Sequence, residues 1–122
     1  MITPEKLRKT IEGMEEAIPT LINDDNPYHV GRITHYKKSI QAFKVFLKYL
    51  EAGNITLDIS TRQSMFDVGV PNDKWRCLTY CYTTGRWCNK GKKAWYKSKS
   101  TEQFIEKYLF NRRDFHDETL PT

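Results

Sequence analysis

The chain has no apolar run approaching the roughly 18 residues that a membrane-spanning helix needs, and its opening residues, MITPEKLRKT, contain no apolar stretch of the secretory kind. A cytosolic protein without membrane association is the expectation. Cysteine is scarce: Cys77, Cys81 and Cys88 are the three present, and an odd number without a secretion signal points to reduced thiols rather than a disulfide framework. The signatures GxxxxGK[ST], GxGxxG, HExxH and GxSxG are all missing, so nothing points to an enzyme and no cofactor or metal is expected. Acidic residues are missing from one long stretch. Between Lys74 and Lys99 there are eight Lys or Arg residues and no Asp or Glu, while the rest of the chain holds 12 basic and 15 acidic residues. The net charge of +5 therefore arises wholly in about a fifth of the sequence.

What is present fits one folded domain. The 122 residues are 39% apolar and 29% charged, far from the composition of a disordered chain. Sixteen aromatic residues exceed what a core of this size usually needs, so some are expected to face solvent or a ligand.

Thr3, Pro4 and Glu5 read as an N-cap, a first-position proline and an acid placed to favour the helix dipole. Leu7, Ile11, Met14, Ile18 and Leu21 then recur at 4-3-4-3 spacing along one stripe of a helix, which Pro19 should kink or end near Ala17 to Ile18. Asn23 to Pro27 is a connection dense in turn formers. A second helix carries Ile33, Tyr36, Ile40, Phe43, Leu47 and Leu50 at 3-4-3-4-3 spacing, and Ala52-Gly53-Asn54 stops it. That stripe is longer than one short partner helix covers, which predicts a homodimer through it.

From Ile55 the hydrophobic period switches to 2. Ile55, Leu57 and Ile59 alternate with polar residues, as do Phe66, Val68 and Val70, and short turns at Pro71-Asn72-Asp73, Thr83-Thr84-Gly85 and Asn89–Lys92 demand antiparallel neighbours. Ser100 with Gln103 is a capping-box pattern opening a last helix. The expected fold is α+β: a helical hairpin over 3–53, a four- or five-stranded antiparallel β-meander over 55–98, a closing helix over 100–110, and a loose tail over 111–122.

The basic stretch coincides with the meander. Alternation puts Trp75, Cys77, Thr79 and Cys81 on one face of a strand and Arg76, Leu78, Tyr80 and Tyr82 on the other. The cysteine face, being small, is expected inside, which leaves Arg76, Tyr80 and Tyr82 on an open face with Arg86, Trp87, Lys92, Lys93, Trp95 and Lys97 beside them. Rings stack on bases at about 1–3 kcal/mol each and cations neutralise phosphates, so nucleic acid or a nucleotide suits this surface. So does an acidic face of a protein, because Trp, Tyr and Arg dominate protein hot spots. That alternative is an inhibitor or adaptor docking on a nucleic-acid-processing protein, for example a phage-encoded anti-defence factor of the anti-CRISPR or anti-restriction type. The plainer account is that Trp and Tyr suit pleated surfaces and that edge lysines discourage aggregation. Arg112 and Arg113 either favour a helix C-terminus or extend the basic surface.

Other constellations are weaker. Cys77, Cys81 and Cys88 with His116 make four possible zinc ligands, but structural zinc usually takes tight CxxC knuckles, and Cys77 and Cys81 lie about 13 Å apart along a strand. Buried cysteines acting as small hydrophobes fit better. A nucleophilic thiolate needs a base that His29, His35 and His116 do not visibly supply. Asp24 and Asp25 read as turn and capping residues before they read as a hydrolytic pair.

Overall fold

The computed structural model describes residues 1–24 and 26–111. The fold is α+β: two N-terminal helices, a five-stranded antiparallel sheet and a short C-terminal helix.

Helix α1 spans Pro4–Ile22, with the Thr3 hydroxyl accepting the Lys6 N–H at 3.2 Å as the cap pattern requires. It does not end near Ala17 to Ile18. It continues through Pro19, whose carbonyl accepts the Asn23 N–H at 3.1 Å. A proline interior to a helix removes one hydrogen bond, and the helix nonetheless runs on to Ile22. Helix α2 spans His29–Glu51 and ends in a Schellman motif. Gly53, at φ +75°, donates to Leu50, and Asn54 donates to Tyr49. Ion pairs Arg8–Glu51 (2.6 Å) and Lys44–Glu15 (3.1 Å) tie α1 to α2.

The strands are β1 (Thr56–Ile59), β2 (Met65–Val70), β3 (Asp73–Cys81), β4 (Arg86–Asn89) and β5 (Tyr96–Lys97), in the sheet order 1-2-3-4-5 of a meander. At the β1 edge the Ile2 N–H donates to the Leu57 carbonyl at 2.7 Å, and the far edge is the two-residue β5. Both arrangements limit exposed edge. Register places Phe66 opposite Tyr80, Tyr80 opposite Trp87 and Trp87 opposite Tyr96, so one row of rings crosses four strands on the face that meets the helices. Phe43 and Phe46 of α2 lie on this row, each within 6 Å of Phe66 between ring centroids.

Helix α3 (Thr101–Gln103) opens as the capping pattern predicts, with the Ser100 hydroxyl accepting the Gln103 N–H at 3.0 Å. The Gln103 side chain returns to the Lys99 N–H at 2.6 Å, one residue earlier than in a capping box. The helix then widens into a π-helix over Phe104–Leu109 that buries Phe104, Ile105 and Leu109. Among the described residues, no helix is long and apolar enough to cross a membrane.

The stripe on α2 is largely absorbed within the chain. Ile40 and Phe43 belong to the core, and Leu47 and Leu50 pack against it. Ile33 and Tyr36 are half-buried. Phe43 meets Phe66, so the sheet takes part of the stripe that the sequence assigned to a second copy.

Candidate anion-binding cleft

The face that the sequence left open is the one the helices cover, while on the other face Cys81 and Cys88 are buried as expected. Tyr80 is 2% exposed, Trp87 1% and Arg76 6%: they belong to the covered face, not an open one. Tyr80 stacks on Phe104 at 4.2 Å, and Trp87 lies between Tyr96 at 4.6 Å and Tyr108 at 4.7 Å. Arg76 donates from Nε to the Leu109 carbonyl at 3.1 Å and from its guanidinium to the Tyr108 carbonyl, so its charge serves the end of the C-terminal helix. Tyr82 is half-buried among Phe43, Phe66 and His35. Alternation of period 2 is identical whichever face is covered. The choice falls to the apolar area available, and the ring row offers far more than Cys-Thr-Cys.

The opposite face carries the cysteines. Cys88 stands opposite Thr79 and thus shares a face with Cys77 and Cys81. All three are free thiols, with Cys81 and Cys88 buried. Thr79 donates to Asp67 at 2.8 Å, and Asp67 also meets Lys90 at 3.5 Å. Trp95 is half-buried with the Arg62 guanidinium 5.2 Å from its ring centroid. Burial pushes the Cys77 and Cys88 thiols up. At Cys81 burial acts in the same direction, but hydrogen bonds from Thr83 and Thr84 outweigh it and bring the thiol down. No group of three His, Cys, Asp or Glu among the described residues could hold a metal ion. His116 lies outside the described residues, as do Arg112, Arg113 and Asp25.

Of the cations singled out from the sequence, Arg86, Lys92, Lys93 and Lys97 are exposed. Arg86 and Lys97 are directly opposite on β4 and β5, an arrangement of like charges that costs stability until an anion neutralises it. None of these four has an ion-pair partner among the described residues.

Beside them a cleft of about 660 Å³ opens between α2, the turn Thr83-Thr84-Gly85 and the chain from Lys97 to Glu102. Local structure fixes its walls. Gly85 has φ +81°, and a Cβ there would lie 2.9 Å from the Ser98 carbonyl oxygen. Only glycine allows the approach, through which the Ser98 N–H and hydroxyl each donate to the Gly85 carbonyl at 2.9 Å. In the cleft lining, the hydroxyls of Tyr80 and Thr101 meet at 2.9 Å. Burial pushes the Tyr80 and Tyr82 phenols up, against the pull of their hydroxyl partners, so both are neutral hydrogen-bonding groups near pH 7. Lys38, Lys97 and Lys99 are three basic residues of its lining, and Glu102 is the one acid among the described lining residues. Cations and neutral hydroxyls together suit the binding of an oxyanion.

Sequence reasoning named Tyr80, Tyr82 and Lys97 of this lining and missed Lys38, Lys99 and the hydroxyls. Lys38 sits on a helix distant in sequence and carries no local signal. The clusters Thr83-Thr84 and Ser98-Lys99-Ser100-Thr101 were visible, but only as turn and cap chemistry. A second cleft of about 520 Å³, lined by Leu7, Met14, Phe43 and Phe66 with Lys6, His35 and Arg62, shares Tyr82 with the first. Compared with protein-family models, curated proteins and solved structures, the chain has no match, so the site is read from its own geometry.

Proposed function

We propose that this is a non-enzymatic binding protein, working in the cytosol, that engages a phosphate-bearing partner, nucleic acid or nucleotide, through the basic side of the meander. The observation that carries the reading is the set of exposed cations at β4, β5 and the turn between them that have no ion-pair partner among the described residues, with Arg86 and Lys97 held directly opposite. Phosphate relieves that repulsion, and the field of the cluster steers an anion to it. Ring stacking contributes less than composition implied, because Tyr80 and Trp87 belong to the core.

Fluorescence anisotropy with a labelled single-stranded oligonucleotide tests this. With three or four phosphates neutralised, affinity should fall roughly 20- to 50-fold between about 50 and 200 mM salt. Replacing Lys92 and Lys93 by Ala should flatten that dependence without lowering the melting temperature. No binding of oligonucleotide or nucleotide at 50 mM salt would end the proposal.

A second reading, an inhibitor or adaptor docking on the acidic face of a nucleic-acid-processing protein, draws on a different residue. Trp75 is 83% exposed, with the Lys74 ammonium 5.5 Å from its ring centroid, the make-up of an interface anchor. Under this reading a partner survives nuclease treatment and is lost on Trp75→Ala.

A further inference from the structure

We infer that the cleft between α2, the β3–β4 turn and the chain from Lys97 to Glu102 is a seat for the terminal phosphate of a nucleotide-sized ligand. The inference rests on the phosphate-binding reading above and narrows it to one place and one chemical group.

Charge selects the group. Lys38, Lys97 and Lys99 against Glu102 give the residues that line the cleft two positive charges in excess. A phosphate monoester carries about −1.5 to −2 at pH 7, whereas a phosphodiester inside a strand carries one charge. The cleft therefore matches a terminal phosphate better than an internal one. The three lysines make no ion pair with any described residue, so the ligand displaces no internal partner.

Size and chemistry select what is attached. About 660 Å³ falls within the roughly 300–1,000 Å³ of small-molecule sites, more than a bare phosphate fills. The remaining lining is rich in hydroxyls, among them Tyr82, Thr83, Thr84 and Ser100, with Gln41 and the apolar Val45. Such walls suit an oxygen-rich body such as a sugar with its base. The two walls are pre-set by the Gly85–Ser98 and Tyr80–Thr101 contacts, which lowers the ordering cost of binding.

Titration of the protein with adenosine 5′-monophosphate, followed by calorimetry and by backbone amide shifts, tests the seat, with adenosine as the phosphate-free probe. The monophosphate should shift amides of Thr83–Gly85 and Ser98–Thr101 and bind at least about tenfold more tightly than adenosine, the scale of a hydrogen bond to a charged group. Its affinity should rise from pH 5 to pH 7, as the second phosphate proton leaves near about pH 6. Lys38→Ala and Lys99→Ala, both exposed positions, should each weaken it severalfold at unchanged melting temperature, and Glu102→Gln should tighten it. Equal binding of adenosine and its monophosphate, shifts confined to another surface, or weaker binding by Glu102→Gln would overturn the seat.

Short oligonucleotides with and without a 5′ phosphate separate the two sources of a terminal phosphate. Preference for the phosphorylated strand over the mononucleotide assigns the seat to strand ends, and the reverse assigns it to free nucleotide. Oligonucleotide binding that the mononucleotide does not displace, and that Lys38→Ala and Lys99→Ala leave intact, overturns the seat alone. Failure of every phosphate probe at low salt overturns the broader reading as well.

Discussion

Trp87 and Trp75 are chemically the same and sit twelve positions apart in the basic stretch, yet they do opposite things. Trp87 fills the core between Tyr96 and Tyr108, while Trp75 stands 83% exposed beside Lys74. Removing a buried tryptophan costs about 3–5 kcal/mol, a large part of the stability of any domain this size. Urea denaturation of Trp87→Ala should therefore show a loss of that order, with any loss of binding following from unfolding. Trp75→Ala should stay within about 0.5 kcal/mol of the parent, as exposed substitutions do. Alternation set Trp75 on the face expected inside and counted Trp87 and Arg76 as surface candidates, the reverse of their burial. Burial separates them, and burial depends on which face of the sheet the helices cover.

At the scale of elements, local signals read well where the chemistry is local. The Thr3 cap, the Gly53 stop and the Ser100 cap each formed as the sequence indicated, because a cap involves residues only a few positions apart. The widening of the last helix into a π-helix had no such signal. It lies where Arg76, from β3, takes up the carbonyls of Tyr108 and Leu109, and where Tyr49, from α2, donates to Glu106 at 2.5 Å. That hydrogen bond to the Glu106 carboxylate, with burial adding to it, pushes the Tyr49 phenol up to about 12. An unfolded tyrosine loses its proton near about 10. The folded state holds the proton more tightly, so the contribution is complete below about pH 10 and is lost as pH rises from there towards about 12. Thermal melts should show the parent losing stability between pH 9.5 and about 11.5 more steeply than Tyr49→Phe, which lacks the ionising group.

For the whole molecule, the central question is what α2 packs against. Ile40 and Phe43 are buried, and Phe43 lies against Phe66 and Tyr82 at 5.0 and 4.8 Å between ring centroids. One chain thus supplies cover for these two residues of the stripe. Light scattering should accordingly give 14.5 kDa at micromolar concentration, and a mass of twice that value would return the half-buried Ile33 and Tyr36 to an interface. The sequence by itself determined the element types, the antiparallel order and the concentration of positive charge, since hydrophobic period, short turns and residue identity are properties of neighbours along the chain. Only the tertiary structure decided that the ring row meets the helices, that Cys88 joins Cys77 and Cys81 on the opposite face, and that Lys38 joins Lys97 and Lys99 around one cleft. Strand alternation specifies two faces without ranking them, and a helix distant in sequence meets a strand only once the core has closed.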